Sequence, residues 1–433
     1  MTYDITAFGA VGDGTALCTA AIQAAIDACH AQGGGRVTVP AGCFKTGTLY
    51  LKSHVELHLS HAATLLASEN LDDYNEEDAY VQNYHSDTEE WNGKHLLIAL
   101  DAEDVALTGS GCIDGNGHLF YGEPVKKWSF LWVDGLALSR DKVNLRPGQL
   151  LCFIQCRHVR VEGIRIRNNT CWCCFLHGCE YVDVHGITIQ NPSTFANTDG
   201  VDIDTCRFVT VSDCIIDTAD DAIAIRGCSH RLTNGMRACE HITVSNCVLG
   251  SSSGAFRIGV GDCPIRHVRV SNISVKRCAT GFILCSDYSK RQGRYTPIFD
   301  VAFHNVSVIG AQRAMKFSAA KAGVIENVSF ENIYCEVRGG SYLKSPEGKH
   351  IQDLRIRDLH MHVMDKGTLT EAELAERRDV AIRMENVANG RLERFCITGL
   401  DATTHPWRAA MLTEHCELAL QDCNFEPKTE VEQ

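Results

Sequence analysis

From about residue 150, apolar and polar positions alternate with a period of two, and the alternation recurs in a longer rhythm. The segments HVRVEGIRI, YVDVHGITI, FVTVSDCII, HITVSNCVL, HVRVSNISV, DVAFHNVSV, NVSFENIYC and DLRIRDLHM share one pattern. Two apolar positions flank any residue, two or three polar or small residues follow, and a second apolar strand closes the unit. The matching positions are Val159, Val182, Val209, Ile242, Val268, Val301, Val328 and Leu354, spaced by 23, 27, 33, 26, 33, 27 and 26 residues. Short strands at such a period predict a solenoid. Helical repeats are excluded by the period of two, and leucine-rich repeats by the missing Leu-x-x-Leu-x-Leu spacing and its Asn. The expectation is an all-β chain, a right-handed parallel β-helix. Its valines, isoleucines and Cys156, Cys179, Cys206, Cys214, Cys239 and Cys247 would fill the interior.

The N-terminal part reads as a cap. Thr19 to Ala31 has a helical apolar pattern (Ala20, Ile22, Ala25, Ile26, Cys29), and Gly33-Gly34-Gly35 ends it. A short helix there would cover the open end of the solenoid. The strand RVTVPAG follows, then HVELHLS and DVALTGSGCIDGNG. The predicted organisation is one domain over 1–433. Residues 1–50 form the N-terminal cap region, 150–365 the regular coils, and 366–433 the C-terminal coils and cap. Within the last part, TLTEAELAERR (368–378) predicts a short helix, with Thr370 and Glu373 spaced as a capping box.

A chain of 433 residues, 45% hydrophobic, can bury a large core. Its net charge of −13 and the lack of a basic run argue against a nucleic-acid partner. An anionic ligand is compatible, because a local basic patch suffices. The start MTYDITAFGAVGDG has neither a basic opening nor an apolar run, and no stretch approaches the ~20 apolar residues of a membrane helix. With 22 cysteines, the expectation is a cytoplasmic protein whose thiols stay reduced and mostly buried, with no membrane partner. Cys171, Cys173 and Cys174 crowd together, but without a paired second cluster they predict no metal site.

The chemistry concentrates in NTDGVDIDTCRFVTVSDCIIDTADDAIAIRG, from Asn197 to Gly227. The strand VTVSDCIID separates Asp199 from Asp220 and Asp221, and a strand can hold its flanking loops at fixed positions. Asp is common in turns, where its side chain bonds the local backbone. Adjacent acids cost energy unless solvated, paired or used. Carboxyls fixed at separate points suit acid/base work on a glycosidic bond, one donating a proton and another activating water. Asp202 and Asp204 are read as turn or solvent residues.

AFGAVGDG with Thr19-Ala20-Ala21-Ile22-Gln23, VPAGCFKTGTLYLKSHVELHL, GSGCIDGNG, Arg146-Pro147, NNTCWCCFLHGCEYV with Trp172 and His177, NTDG and ADDAIAIRG occur in this order. In that order the chain resembles glycoside hydrolase family 28, the polygalacturonases and rhamnogalacturonases. The resemblance implies a parallel β-helix, inverting cleavage, an oligosaccharide partner and no cofactor. It implies Asp220 as general acid, with Asp199 and Asp221 holding and activating water. Asp199 and Asp220 should lie on successive coils, about one strand spacing (~4.8 Å) apart. Asn197, which opens the NTDG motif, is taken as a substrate-side residue.

Two family motifs are missing. Where the family has Gly-His-Gly, this chain reads GSSSGAFRIGVG, with Ser253 or Gly254 at the His position. Where it has Arg-Ile-Lys, this chain reads ATGFILC, with Ile283 and Cys285 at the basic positions. Repeat phase puts Ala224, Arg257, Ile283 and Lys316 in one column, and Arg226 in the column of Cys285. A relocated basic set of Arg226, Arg257 and Lys316 would then bind an acidic sugar, or the three side chains simply lie solvated. Lys290 and Arg291, with Tyr288 as a stacking platform, are rival suppliers. His177 is read as bonding a sugar hydroxyl or the Asp199 loop, or as structural. Trp128 and Trp132, in the insertion 118–145, are read as core or as sugar platforms. Two other functions compete. One is a polysaccharide lyase in which the three aspartates hold Ca²⁺ and Arg257 is the base. The other is a carbohydrate-binding β-helix that has lost activity. Oligomeric state is not legible in the sequence.

Overall fold

The computed structural model describes residues 1–75, 93–122, 146–229, 232–288, 294–365, 379–400 and 407–425. The predicted 368–378 helix, Trp128, Trp132, Lys290 and Arg291 lie outside them. The fold is all-β, a right-handed parallel β-helix, with one α-helix among the described residues. Its contacts form two compact units. The first holds most residues up to Ala224, with Ser229–Arg237; the second holds Ile225–Cys228 and most residues from Ala238 onward.

In the first unit the helix Thr19–Ala31 buries Ile22, Ala25, Ile26 and Cys29, the face predicted from its spacing. Gly33 and Gly34 end it by returning N–H bonds to the His30 and Cys29 carbonyls at 3.0 and 2.9 Å. Gly34 has φ +108°, and a Cβ there would stand 2.3 Å from the His54 carbonyl oxygen. Both the positive φ and the close approach call for glycine. The helix packs on the strands Thr2–Asp4, Gly35–Val39, Leu49–Leu51 and Val55–Leu59.

Inward side chains stack coil upon coil. Val37 lies beside Leu57, Leu57 beside Leu107, Leu107 beside Val161, Val161 beside Val184 and Val184 beside Val211. All six are fully buried, each burial contributing roughly 1.5–3 kcal/mol. A second column runs through Phe44, Leu65, Ile113, Ile166, Ile189 and Ile216. A third runs through Leu49, Leu97, Leu151, Cys174 and Val201. The parallel ladder therefore begins with the strand Thr2–Asp4, which pairs with Gly35–Val39, well before the repeat is legible at 150.

In the second unit Ile242, Val268, Val301 and Val328 are consecutive partners, as the repeat phase predicts. Phe303 and Phe330 stack at 4.9 Å, and Phe256 and Phe282 at 6.3 Å. At the bend between the paired strand runs, Asn272 donates to Asn246 at 3.1 Å, Asn305 to Asn272 at 2.8 Å and Asn332 to Asn305 at 3.0 Å. All four have φ near +55°, a conformation Asn tolerates because its side chain bonds locally.

No disulfide joins any of the 22 cysteines, and 18 of them are buried. Cys156, Cys179 and Cys206 donate S–H bonds to the carbonyls of Ala99, Phe153 and Leu176 at 3.3–3.4 Å. The thiols thus act as small interior side chains with a weak donor. Cys171 and Cys173 precede the strand Cys174–His177 and are fully buried. Burial pushes the Cys173 thiol up to about 12. No helix among the described residues is long and apolar enough to cross a membrane.

Candidate active site

The acidic cluster belongs to the first unit. Strands Leu151–Ile154, Cys174–His177 and Val201–Asp204 lie side by side in register. The ladder continues into the turns before them. Cys173 N–H donates to the Asp199 carbonyl at 2.9 Å, and Cys174 N–H to the Gly200 carbonyl at 3.0 Å. One coil on, Gly200 N–H donates to the Asp221 carbonyl at 2.9 Å, and Val201 N–H to the Ala222 carbonyl at 3.1 Å. Asp199 and the Asp220–Asp221 pair therefore sit at equivalent points of successive coils.

One carboxylate oxygen from each of Asp199, Asp220 and Asp221 lies within 4.8 Å of the other two. Asp199 and Asp221 are buried, and Asp220 is half-buried. Three carboxylates this close repel one another, and the repulsion is relieved when one keeps a proton or a cation sits among them. The turn is braced locally. Thr198 donates to the Phe195 carbonyl at 2.8 Å, and Thr218 to the Asp220 carbonyl at 2.7 Å. Asp221 N–H donates to the Asp220 carboxylate at 3.1 Å.

Asn197 adjoins the cluster, its amide donating to Asp220 Oδ2 at 3.5 Å. Behind it lies the fully buried Arg146, bonded to the Ala196 carbonyl at 2.8 Å and to Asn197 Oδ1 at 3.3 Å. Arg146 also bonds the Tyr121 hydroxyl, which reaches the Ala196 and Thr170 carbonyls at 2.6 and 2.8 Å. Tyr121 stacks on Phe195 at 4.2 Å. Arg146 and Tyr121 thus position the NTDG turn, a role the sequence reading missed. Arg146-Pro147 was visible only as a family-like dipeptide, and Tyr121 sits unmarked in the 118–145 insertion.

His177 lies on the coil before Asp199, in the strand Cys174–His177. It is 7% exposed, its ring stacks on Phe175, and Nδ1 stands 3.8 Å from Asp204 Oδ2. Asp202 and Asp204 correct the sequence reading. Neither serves a turn or solvent: both lie in the strand Val201–Asp204 and are 0% and 2% exposed, Asp204 opposite His177. The strand is covered on both sides, so alternation gave no outward positions. Trp172 packs in the core with Cys152, Ile154, Cys171 and Phe175.

The basic residues belong to the second unit. Arg257 pairs with Ile283 and Ile283 with Lys316, so that column has the predicted phase. The Arg257 guanidinium lies 5.9 Å from the Tyr288 ring centre, and Tyr288 is 41% exposed. Arg226 is buried in the strand Ile223–Gly227. Ser253, at the position of the missing His, is buried too.

Known proteins agree with this architecture. An exo-poly-α-D-galacturonosidase of Dickeya chrysanthemi is 31% identical over 258 residues, 51% of this chain and 41% of that protein. A probable polygalacturonase of Vitis vinifera is 29% identical over 51% of this chain and 43% of that protein. The chain thus spans less than half the length of these curated relatives. An exopolygalacturonase of Thermotoga maritima shares the fold with a TM-score of 0.66 at 22% identity, over 98% of this chain and 91% of that one. Residues 29–241 match the family described as Glycosyl hydrolases family 28, a span that holds all three clustered aspartates.

Proposed function

We propose that the protein is a glycoside hydrolase that cleaves acidic, pectin-derived oligosaccharides with inversion at the anomeric carbon. The observation that carries this reading is the Asp199–Asp220–Asp221 cluster, with its oxygens within 4.8 Å of one another. Asp220, the most accessible of the three, donates its proton to the leaving oxygen. Asp199 and Asp221, held in the ladder below, orient and deprotonate the attacking water. The 4.8 Å value is an upper limit on the separation of one oxygen from each carboxylate. Inverting pairs stand roughly 6.5–9.5 Å apart and retaining pairs roughly 5–5.5 Å. Inversion therefore rests on the likeness of residues 29–241 to family 28, and the anomeric form of the first product tests it.

Arg226, Arg257 and Lys316 are proposed to replace the absent Arg-Ile-Lys motif in binding the uronate carboxylate, with Tyr288 stacking on a sugar. The shared phase of Arg257 and Lys316 supports this. Short fragments taken up into a reducing compartment are the proposed substrates, in keeping with 22 cysteines and no disulfide.

The test is incubation with oligogalacturonides, rhamnogalacturonan fragments and neutral oligosaccharides, following reducing ends and the ultraviolet absorbance of an unsaturated uronate. Reducing ends without absorbance support hydrolysis. Absorbance supports the lyase reading, which the metal-compatible spacing of the three aspartates favours as the second choice.

A further inference from the structure

The second unit carries a separate cluster on its outer wall. Glu240 and His241 lie on the strand Cys239–Ser245, and His267 on the neighbouring strand Ile265–Arg277. Glu240 pairs with Arg266 and Ile242 with Val268, so His241 stands opposite His267 one coil away. The two imidazoles stack at 4.9 Å with 19° between their planes. One donor atom from each of Glu240, His241 and His267 lies within 4.8 Å of the other two.

A second observation orients the set. His267 Nδ1 stands 2.8 Å from Asp300 Oδ2, on the strand Ile298–Ala311. Arg269 holds that carboxylate with contacts of 2.9 and 2.8 Å. A carboxylate accepts, so Nδ1 carries the proton and the Nε2 lone pair is left for another partner. An acid behind an imidazole is the outer-shell arrangement that fixes the tautomer and raises the basicity of a metal-binding histidine. Glu240 Oε2 accepts from Arg266 Nε at 2.6 Å, which leaves Oε1 for a cation.

We propose that Glu240, His241 and His267 form a surface site for a divalent transition metal, zinc above all, with Asp300 as the positioning residue. Two imidazoles and one carboxylate suit zinc, copper or nickel, whereas magnesium and calcium prefer all-oxygen sets. Zinc holds its donors at about 2 Å, so the three donors draw together on binding. His241 is exposed and turns to meet the ion. The ion staples two adjacent coils from outside. This proposal is independent of the glycosidase reading.

Equilibrium dialysis of chelator-treated full chain against zinc chloride tests it, with H241A, H267A and D300N alongside and circular dichroism confirming the fold. One zinc per chain is expected, lost in H241A and in H267A. D300N keeps an acceptor for Nδ1–H but removes the charge, and should bind about 10–100-fold more weakly. No zinc bound by the parent chain overturns the site. Zinc retained in both histidine variants also overturns it, since the metal would then sit elsewhere, such as on the three aspartates. Unchanged affinity in D300N overturns the role of Asp300.

Discussion

Gly200 donates its backbone N–H to the carbonyl oxygen of Asp221 at 2.9 Å. This bond ties the turn carrying Asp199 to the turn carrying Asp220 and Asp221, so the spacing of the carboxylates is set by the repeat of the solenoid. The contact is close. A Cβ at Gly200 would stand 2.3 Å from the Ala222 carbonyl oxygen and 2.6 Å from Ile216 Cγ2. G200A should therefore separate the coils, cost about 1–3 kcal/mol of stability and reduce kcat far more than a remote change of equal stability cost. Denaturant unfolding together with kcat on the active substrate checks it. Unchanged values would show that the coils can part there without consequence.

Arg146 acts through Asn197 and the Ala196 carbonyl. R146M keeps much of the apolar bulk and removes hydrogen bonds from a charged group, each worth about 1.5–3 kcal/mol. Its expected signature is a lower Tm with a fall in kcat at little change in KM, because the turn is misplaced. The conservative R146K should recover less than half of the lost activity, since one ammonium cannot make the forked contacts of a guanidinium. Steady-state kinetics and a thermal melt read both effects.

For Arg257 and Lys316 the opposite split is expected. R257A and K316A should raise KM for oligogalacturonides about tenfold or more and leave Tm within a degree or two, because neither side chain is fully buried. The loss should shrink as salt is raised. Equal losses on neutral and acidic oligosaccharides would remove both residues from uronate recognition.

The thiols give a test of the fold itself. Only Cys43, Cys396, Cys416 and Cys423 are less than fully buried. The thiolate is the reactive form, and burial pushes Cys173 and Cys278 up to about 12. A thiol reagent should label at most four cysteines per native chain, even at mildly alkaline pH, and all 22 after denaturation. Rapid native labelling of many more would contradict the packed interior.

The coils were legible in the sequence wherever the spacing between equivalent residues stayed even. Val159, Val182 and Val209 are 23 and 27 residues apart and pair as the repeat predicts. The earlier column was hidden: Leu57 to Leu107 and Leu107 to Val161 are single steps of the ladder but span 50 and 54 residues. Long insertions within these steps erase the period without breaking the stack. The closeness of the three aspartates was legible because one strand separates Asp199 from the Asp220–Asp221 pair and so places them on successive coils. Asp202 and Asp204 were misjudged because a strand covered on both faces shows no polar face to read. His177 found its partner in Asp204 only through the register of neighbouring coils, which one sequence does not print.

Asp220 is the proposed proton donor. The most direct measurement is kcat of D220N on the oligosaccharide that the parent chain cleaves, with circular dichroism and Tm alongside. A fold-neutral loss of about 10²–10⁴ in kcat is predicted, because the amide keeps the shape but has no proton to give. Turnover at the parent rate by a correctly folded D220N would contradict it.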